Sequence, residues 1–313
     1  MTAEEYAALQ AALAAQAAAY AAQFAATFQQ AALSLSEWLK LLHLMYPAVE
    51  QFRQRSADLA RQFYDSQRQQ FHPELPRFDQ FLESYSYDKF IEKMEPVRKR
   101  FSQQNAPEAV TAEFSFHFVR EVENAGRRQI IHAVEADKPV TDKVEQVQDR
   151  ILSKPTIAPH EARPVQGWAR VATGRETCAW CLMLVSRGPV YPNARSAGSK
   201  YDSETTLDVM KGNTDVEEFM NQWHPGCDCK IVPVFDLADW PGMEAQKRAE
   251  QLWIDAHDDA VAWREQNPDR VHLTGKNKGK PITFYEDQLL ALRRRVDNGG
   301  INSQEWAALS QAA

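Results

Sequence analysis

The chain has 313 residues, of which 44% are hydrophobic and 25% are charged, and these proportions are typical of a globular protein with one large or two modest domains. Its 36 lysines and arginines against 43 aspartates and glutamates give a net charge of −7. This charge argues against a protein whose main task is to coat nucleic acid. No stretch approaches the roughly 20 uninterrupted apolar residues of a membrane-spanning helix. The first basic residue is Lys40, so the basic start of a signal peptide is missing.

The N-terminal half has a strongly helical composition. The first glycine is Gly126, and the residues before it are rich in Ala, Gln, Glu, Leu and Arg, which favours helix over a turn-rich β architecture. We expect an Ala/Gln-rich helical arm over residues 1–35 and an α-helical domain over 36–155. In the arm, larger side chains recur at helical spacing and predict one buried stripe. Its members are Tyr6, Leu9, Leu13, Tyr20, Phe24 and Phe28.

Further helices follow in the α-helical domain. Pro47 predicts a break, after which the spacing from Val49 to Phe63 predicts a second helix. Pro73 and Pro76 mark the next turn. A further helix is predicted over about 113–135. Its predicted buried residues are Phe118, Val122, Ile130 and Val134, and its predicted solvated residues are Arg120, Arg127 and Arg128.

The sequence pattern changes from helical to mixed after a proline-rich stretch between residues 136 and 165. Short β-like runs at 168–172 and 230–235 are separated by turn-rich sequence, which predicts a small α+β unit over residues 160–240. Residues 241–313 return to helical spacing. One predicted stripe contains Ala249, Leu252, Ala256, Ala260 and Trp263, and the other contains Tyr285, Leu289, Leu292 and Val296. The predicted fold is mainly α, with a small α+β unit stapled by zinc.

All four cysteines lie in the central unit and form a metal-binding pattern. Cys178-x-x-Cys181 is followed, 42 residues later, by His224-x-x-Cys227-x-Cys229. A two-residue gap lets two thiolates of a knuckle face one tetrahedral ion, and a one-residue gap in an extended strand puts both side chains on one face. Four of these five residues are predicted to hold zinc.

Three other states of the cysteines compete with metal binding. Two disulfides are allowed by number, but nothing indicates secretion, and a reducing cytosol favours metal over disulfides. Free buried thiols are a further alternative. A redox-active Cys-x-x-Cys would need its own βαβ context and would leave the second pair unexplained.

The zinc is predicted to be structural rather than catalytic. A catalytic zinc usually keeps three protein ligands and an open water position, whereas this unit offers a full thiolate-rich set and no His-Glu-x-x-His pattern. The binding energy of such a closed site is folding energy. Five aromatic residues near the ligands are predicted to form a compact core around it, and they are Trp168, Trp180, Tyr191, Trp223 and Trp240.

Three segments of the central unit resemble those of a known protein family. They are Thr177-Cys178-Ala-Trp-Cys181, Ser186-Arg-Gly-Pro-Val-Tyr191 and Trp223-His-Pro-Gly-Cys-Asp-Cys229. Together they resemble the MuF-like minor head (head morphogenesis) proteins of tailed bacteriophages, most closely the versions found in phages of actinobacteria. The resemblance covers about residues 165–235. The helical N-terminal half is similar to that family in character only.

The resemblance implies a component of the virion or procapsid that is made in the bacterial cytoplasm and acts in head assembly. The implied partners are the portal protein, the major capsid protein or a scaffold. Related proteins of actinobacterial phages are often labelled capsid maturation proteases, and that activity is the alternative function.

A serine protease needs a nucleophile, a base and an oxyanion hole. Ser186 is the candidate nucleophile, and His224 or His160 is the candidate base. However, a serine in such a turn more often bonds its own backbone, His224 is a predicted metal ligand, and no Gly-x-Ser-x-Gly elbow is present. The residues themselves identify no catalytic triad.

Two short basic runs are candidates for a contact with packaged DNA. One lies within Gly275–Lys280 and lacks the order of a phosphate-binding loop. The other consists of Arg293, Arg294 and Arg295. Short basic runs are usually ordinary surface, and the negative net charge makes a standalone DNA-binding module the least favoured function.

Overall fold

The computed structural model describes residues 1–27, 33–78, 85–101, 108–137, 164–172, 177–189, 227, 229–274 and 278–298. Helix accounts for 71% of them. The helices are α1 (Ala3–Ala26), α2 (Leu35–Phe71), α3 (Tyr87–Phe101), α4 (Glu108–Ala136), α5 (Ala179–Val185), α6 (Met243–Gln266) and α7 (Phe284–Asp297), and the strands are β1 (Gly167–Val171) and β2 (Lys230–Val234). This confirms the predicted mainly α fold with a small α+β part.

Helix α1 begins with a capping box, in which Thr2 and Glu5 satisfy each other's backbone amides. Its buried face differs from the predicted stripe, because Leu9 is 44% exposed and Tyr20 and Phe24 are only partly buried. Small residues form the centre of that face, and they are Ala14, Ala17, Ala21 and Ala25. Alanine lets the backbone of α1 come close to its neighbours. Tyr6 and Leu13 of the predicted stripe are buried as predicted, and Phe28 lies outside the described residues.

Helix α2 runs unbroken for 37 residues through Pro47, so the predicted break at Pro47 is wrong. Proline removes one backbone hydrogen bond and usually kinks a helix. Here Met45 and Val49, which flank it, are both fully buried in one cluster. Packing on both sides of the proline therefore holds the two halves as one helix. After α2 the chain turns at Pro73 and Pro76, as predicted.

Helix α4 is the central element, since it packs against α1, α2 and α3 and against both strands. The four residues predicted on its buried side, Phe118, Val122, Ile130 and Val134, are all buried. The solvated polar face is a wrong prediction for Arg127 and Arg128, which are also buried. Both faces of α4 are covered because the strands lie over the side that the three other helices leave open.

Strands β1 and β2 pair antiparallel, with Trp168 opposite Pro233 and Ala169 opposite Val232. Both were predicted to within one residue. Every residue of the two strands is buried, and one hydrophobic cluster joins them to α1, α2 and α4. The small sheet is thus part of the same core as the N-terminal helices, and the predicted domain limits stay predictions.

Helices α5, α6 and α7 share a further hydrophobic cluster, which includes Leu182, Ala256 and Leu292. The buried carboxylate of Asp287 accepts from Arg264 at 3.0 Å and also pairs with Arg270, which ties the start of α7 to the end of α6. The predicted stripes are confirmed in outline, because most of their members lie in this cluster. Within the described ranges, no helix combines the length and the apolar character that a membrane crossing requires.

Candidate metal centre

The four cysteines come from two segments that the fold brings together. Cys178 is the N-cap of α5 and Cys181 lies in its first turn, while Cys227 and Cys229 immediately precede β2. Residues 178–181 follow β1, the pairing partner of β2, so the antiparallel pairing places both cysteine segments at one end of the two-stranded sheet. The fifth predicted ligand, His224, lies outside the described residues.

The thiols form a compact buried cluster. The Sγ atoms of Cys181 and Cys227 are 3.4 Å apart, and those of Cys181, Cys227 and Cys229 all lie within 4.8 Å of one another. Four sulfurs bonded tetrahedrally to zinc at about 2.3 Å would be about 3.8 Å apart. All four cysteines are free of disulfide bonds. The cluster therefore has the size and chemistry of a metal site.

The thiols also influence one another's protonation. The pKa of Cys181 is raised well above its ordinary value, first by contact with the thiol of Cys178 and then by contacts with Cys227 and Cys229. The pKa of Cys227 is lowered well below its ordinary value, because the thiols of Cys181 and Cys229 bond to it and the charges of Arg127 and Arg170 favour the anion. The fourth thiol, Cys178, is thus in contact with Cys181, but it is not among the three thiols that lie within 4.8 Å of one another.

Arg127 joins α4 to the cysteine segment. Its guanidinium donates to the carbonyl oxygen of Cys227 at 2.9 Å and to that of Cys229 at 3.0 and 3.2 Å. The side chain is buried, and it also donates to Asn124 and Glu123 on its own helix. Three of these five hydrogen bonds hold the carbonyl groups of Cys227 and Cys229, and the other two anchor the planar guanidinium to α4.

Glu123 and Lys230 complete a buried charged network beside the thiols. The ammonium of Lys230 donates to Glu123 at 2.6 Å, and the other carboxylate oxygen of Glu123 accepts from Arg127 at 3.2 Å. Burial alone would raise the pKa of Glu123, but the charges of Lys230 and Arg127 hold it below its usual value. The ionised carboxylate therefore links the start of β2 to α4.

The sequence predicted the cysteines but missed these four charged residues. The i, i+4 spacing of Glu123 and Arg127 is typical of a solvated helix face, and their partners in the cysteine segment lie about one hundred positions away in the chain. Arg170 and Lys230 lie in the strands, where alternation alone gave no reason to expect a buried charge. No local signal in the sequence identified the network.

Comparison with known proteins places the chain in a family. A match to VG15 proteins spans residues 1–254. The chain belongs to the VG15 protein family. The Gene 15 protein of Mycobacterium phage L5 is 43% identical over 323 residues, which cover 98% of this chain and 99% of that protein. The Gene 15 protein of Mycobacterium phage D29 is 42% identical over 288 residues, which cover 90% and 93% of the two chains. No solved structure matches.

These relatives confirm the coarser part of the predicted identity, a bacteriophage protein. The VG15 match includes the whole cysteine unit and both strands. It ends inside α6, whereas the L5 relative covers almost the entire chain. The features of the metal centre therefore lie within the part of the chain that defines the family.

Ser186, the candidate nucleophile, lies buried at the C-cap of α5 in this VG15 family member. Its hydroxyl donates to the carbonyl oxygen of Met183 at 2.8 Å, and its own carbonyl accepts from the side chain of Gln246. These bonds are those of a serine that ends a helix. Both candidate bases, His160 and His224, lie outside the described residues.

The aromatic residues near the ligands divide between two cores. Trp168 and Trp240 share a hydrophobic cluster with Cys181, Cys227 and Cys229, as predicted. Trp180 packs instead with α6 and α7. Tyr191 and Trp223 lie outside the described residues. Trp168 and Trp240 therefore belong to the apolar surroundings of the three buried cysteines.

The two basic runs lie on the surface. Lys278 and Lys280 are exposed, and residues 275–277 lie outside the described residues. Arg294 stacks over the ring of Trp263, and Arg295 pairs with Asp259 at 2.6 Å. Pairing with a carboxylate reduces the positive charge that Arg295 offers to an anion.

Proposed function

We propose that this VG15 protein is a MuF-like minor capsid protein that acts in head morphogenesis, within the procapsid and near the portal. What carries the proposal is the cysteine cluster, because the two motifs that resemble MuF-like proteins converge on it. The match to phage proteins over nearly the whole chain supports it. The protein would be made in the host bacterial cytoplasm and incorporated with the portal, the major capsid protein or the scaffold.

The metal in this proposal is a structural zinc ion. Three buried thiols within 4.8 Å of one another suit a soft, thiolate-loving cation such as Zn²⁺. The ion would tie the start of α5 to a segment 46 residues further on. Its binding energy would stabilise a unit in which the sheet has only two short strands.

An assembly role fits the site better than proteolysis does. A serine nucleophile must donate its proton to a base, whereas the Ser186 hydroxyl already donates to Met183. A zinc ion held by four of the five predicted ligands would have no open position for the metal-bound water that a metalloprotease needs. Capsid maturation protease activity remains the competing function, and the experiment below separates the two.

The test is co-expression of the chain with the portal, scaffold and major capsid proteins of its own phage. We expect the chain in purified procapsids and a major capsid protein of full-length mass. Ser186→Ala is the matched control, and it should give the same particles. A capsid protein shortened by the natural chain but not by Ser186→Ala would establish the protease function instead. Complete heads that never contain the chain would refute the assembly function.

A contact with packaged DNA is a secondary part of the proposal. Lys278 and Lys280 are exposed and close in sequence, so they could touch a phosphate backbone at the inner surface of the head. Any such binding should be weak and should fall steeply with salt. Replacing both lysines with glutamine should leave particle assembly unchanged.

A further inference from the structure

A groove of about 520 Å³ lies between α6 and α7. Its apolar lining includes Leu252, Ala260, Trp263, Leu290 and Ala291. Trp263 and Leu290 are only partly buried, and neither is among the described members of the hydrophobic cluster that α5, α6 and α7 share. These two side chains therefore line the groove without contributing to that core.

The polar groups of the groove have unequal partners. Arg294 is exposed and stacks over the ring of Trp263, 4.5 Å from its centre. The carboxylates that line the groove are already paired, Asp259 with Arg295 at 2.6 Å and Asp287 with two other arginines. The indole N–H of Trp263 is buried and has no hydrogen-bond acceptor among the described residues, although a buried tryptophan usually finds one. The groove thus offers an apolar floor, a hydrogen-bond donor and an exposed positive charge.

The described part of the chain ends at this groove. Asn298 is the last described residue, and its side chain or backbone forms part of the groove lining. Residues 299–313 lie outside the described residues and begin with Gly299 and Gly300, which are a turn signal. Two helices joined by a short connection usually lie antiparallel and beside each other. A helix after this turn would therefore start next to the groove.

The sequence after the two glycines predicts a short amphipathic helix. Four residues have the order of a capping box with a hydrophobic staple, and they are Ile301, Asn302, Glu305 and Trp306. In a helix that starts there, Trp306 and Leu309 lie on one face, with Glu305 at its edge. Glu305 is also the only charged side chain among residues 299–313. Because an isolated helix of this length is marginal in water, it needs a surface to pack against.

We propose that residues 301–313 form a helix that docks in the groove between α6 and α7 of the same chain. Trp306 and Leu309 would cover the exposed parts of Trp263 and Leu290, and the carboxylate of Glu305 would pair with Arg294. The apolar face of the segment matches the apolar floor, and its single negative charge matches the exposed cation at the rim. This docking surface is independent of the zinc site of the proposed function.

The test is hydrogen–deuterium exchange, followed by mass spectrometry, on the full-length chain. Backbone amides of residues 307–313 should be protected in the natural chain. Trp306→Ala should raise their exchange rate at least about 10-fold, and Leu290→Gln, which alters the groove and not the segment, should also raise it. Gln311→Ala is the matched control, because residue 311 lies on the opposite face of the predicted helix, and its exchange should equal that of the natural chain.

A charge swap provides a second test that leaves the apolar contacts intact. Arg294→Glu should raise the exchange rate of residues 307–313 about 2- to 5-fold, because an exposed ion pair contributes little. Adding Glu305→Arg should restore the protection. No recovery in the double variant would contradict the placement of Glu305 beside Arg294.

The amides of α4, which none of these substitutions touches, report whether each variant is folded. Equal exchange of residues 307–313 in the natural chain and in folded Trp306→Ala would overturn the proposal, and so would unchanged protection in Leu290→Gln. Protection that rises with protein concentration would place the segment on a second copy of the chain and would overturn docking within one chain.

Discussion

Gly126 lies where three helices cross, and we predict that Gly126→Ala destabilises the protein. A Cβ atom there would lie 2.8 Å from Gln10 Nε2, 2.8 Å from Ser56 Oγ and 3.2 Å from the carbonyl oxygen of Ser56. Gln10 lies on α1, Ser56 on α2 and Gly126 on α4. A methyl group at this position would therefore force the side chains of Gln10 and Ser56 to move and would press on the backbone of Ser56.

The size of the effect follows from two opposing contributions. Alanine is about 1 kcal/mol better than glycine inside a helix. Against this, the new methyl group would displace two buried hydrogen bonds between Gln10 and Ser56, both 2.9 Å long. Lost hydrogen bonds cost about 1 kcal/mol each and overpacking costs about 1–3 kcal/mol. The net expectation is a loss of about 2–4 kcal/mol in the free energy of unfolding.

The assay is chemical denaturation of the natural chain, of Gly126→Ala, of Ser56→Ala and of the double variant. Ser56→Ala removes one of the obstructing atoms, so the double variant should be more stable than the sum of the single effects predicts. Gly126→Ala that is as stable as, or more stable than, the natural chain would refute the close crossing. Additive effects of the two substitutions would refute the contact between positions 56 and 126.

Three further predictions concern the metal centre and α5. A chelator should lower the melting temperature of the natural chain but not that of Cys227→Ser, which should already melt early; equal response of both chains would contradict a zinc staple. Glu123→Gln leaves Lys230 without its carboxylate and should cost about 3–5 kcal/mol at neutral pH. Because the folded pKa of Glu123 lies below its usual 4.5, its contribution is complete above about pH 4.5 and is lost as the pH falls through the folded pKa, so denaturation curves of the two chains should converge in acid. Ser186→Ala should cost at most about 1.5 kcal/mol in thermal melting, since it removes one hydrogen bond to Met183.

Local patterns predicted α1, α2, α4, α6, α7 and both strands, because helices and strands are local in sequence, but no pattern identified α3 or α5. The spacing of Phe118 and Val122 identified α4, and β-branched residues identified β2, each without knowledge of its partner. The cysteine pattern also predicted which residues meet, since spacing constrains how thiols can surround one ion. The sequence spacing does not decide between His224 and Cys178 as the fourth ligand, because both lie at positions compatible with a zinc site.

Pro47 and Leu9 gave wrong predictions for a shared physical reason. The sequence rules treat a proline as a break and a leucine as a buried residue, and both are statements about an isolated helix. In the folded chain, Met45 and Val49 hold α2 together across Pro47, and the alanines of α1 occupy the contact that Leu9 would otherwise fill. Tertiary packing decided both positions.

Arg127 marks the limit of pattern-based prediction most clearly. A helix with apolar residues on one side and arginines on the other has the same periodicity whether water or a second layer of protein covers the polar side. Here the second layer is the cysteine segment, whose carbonyl oxygens and thiols need a cation that an apolar side chain would not supply. The carbonyl oxygens of the cysteine segment and the carboxylate of Glu123 together account for the buried charge of Arg127 on α4. A sequence that pairs a predicted thiolate site with an arginine-rich helix face should be tested for this arrangement before the face is interpreted as solvated.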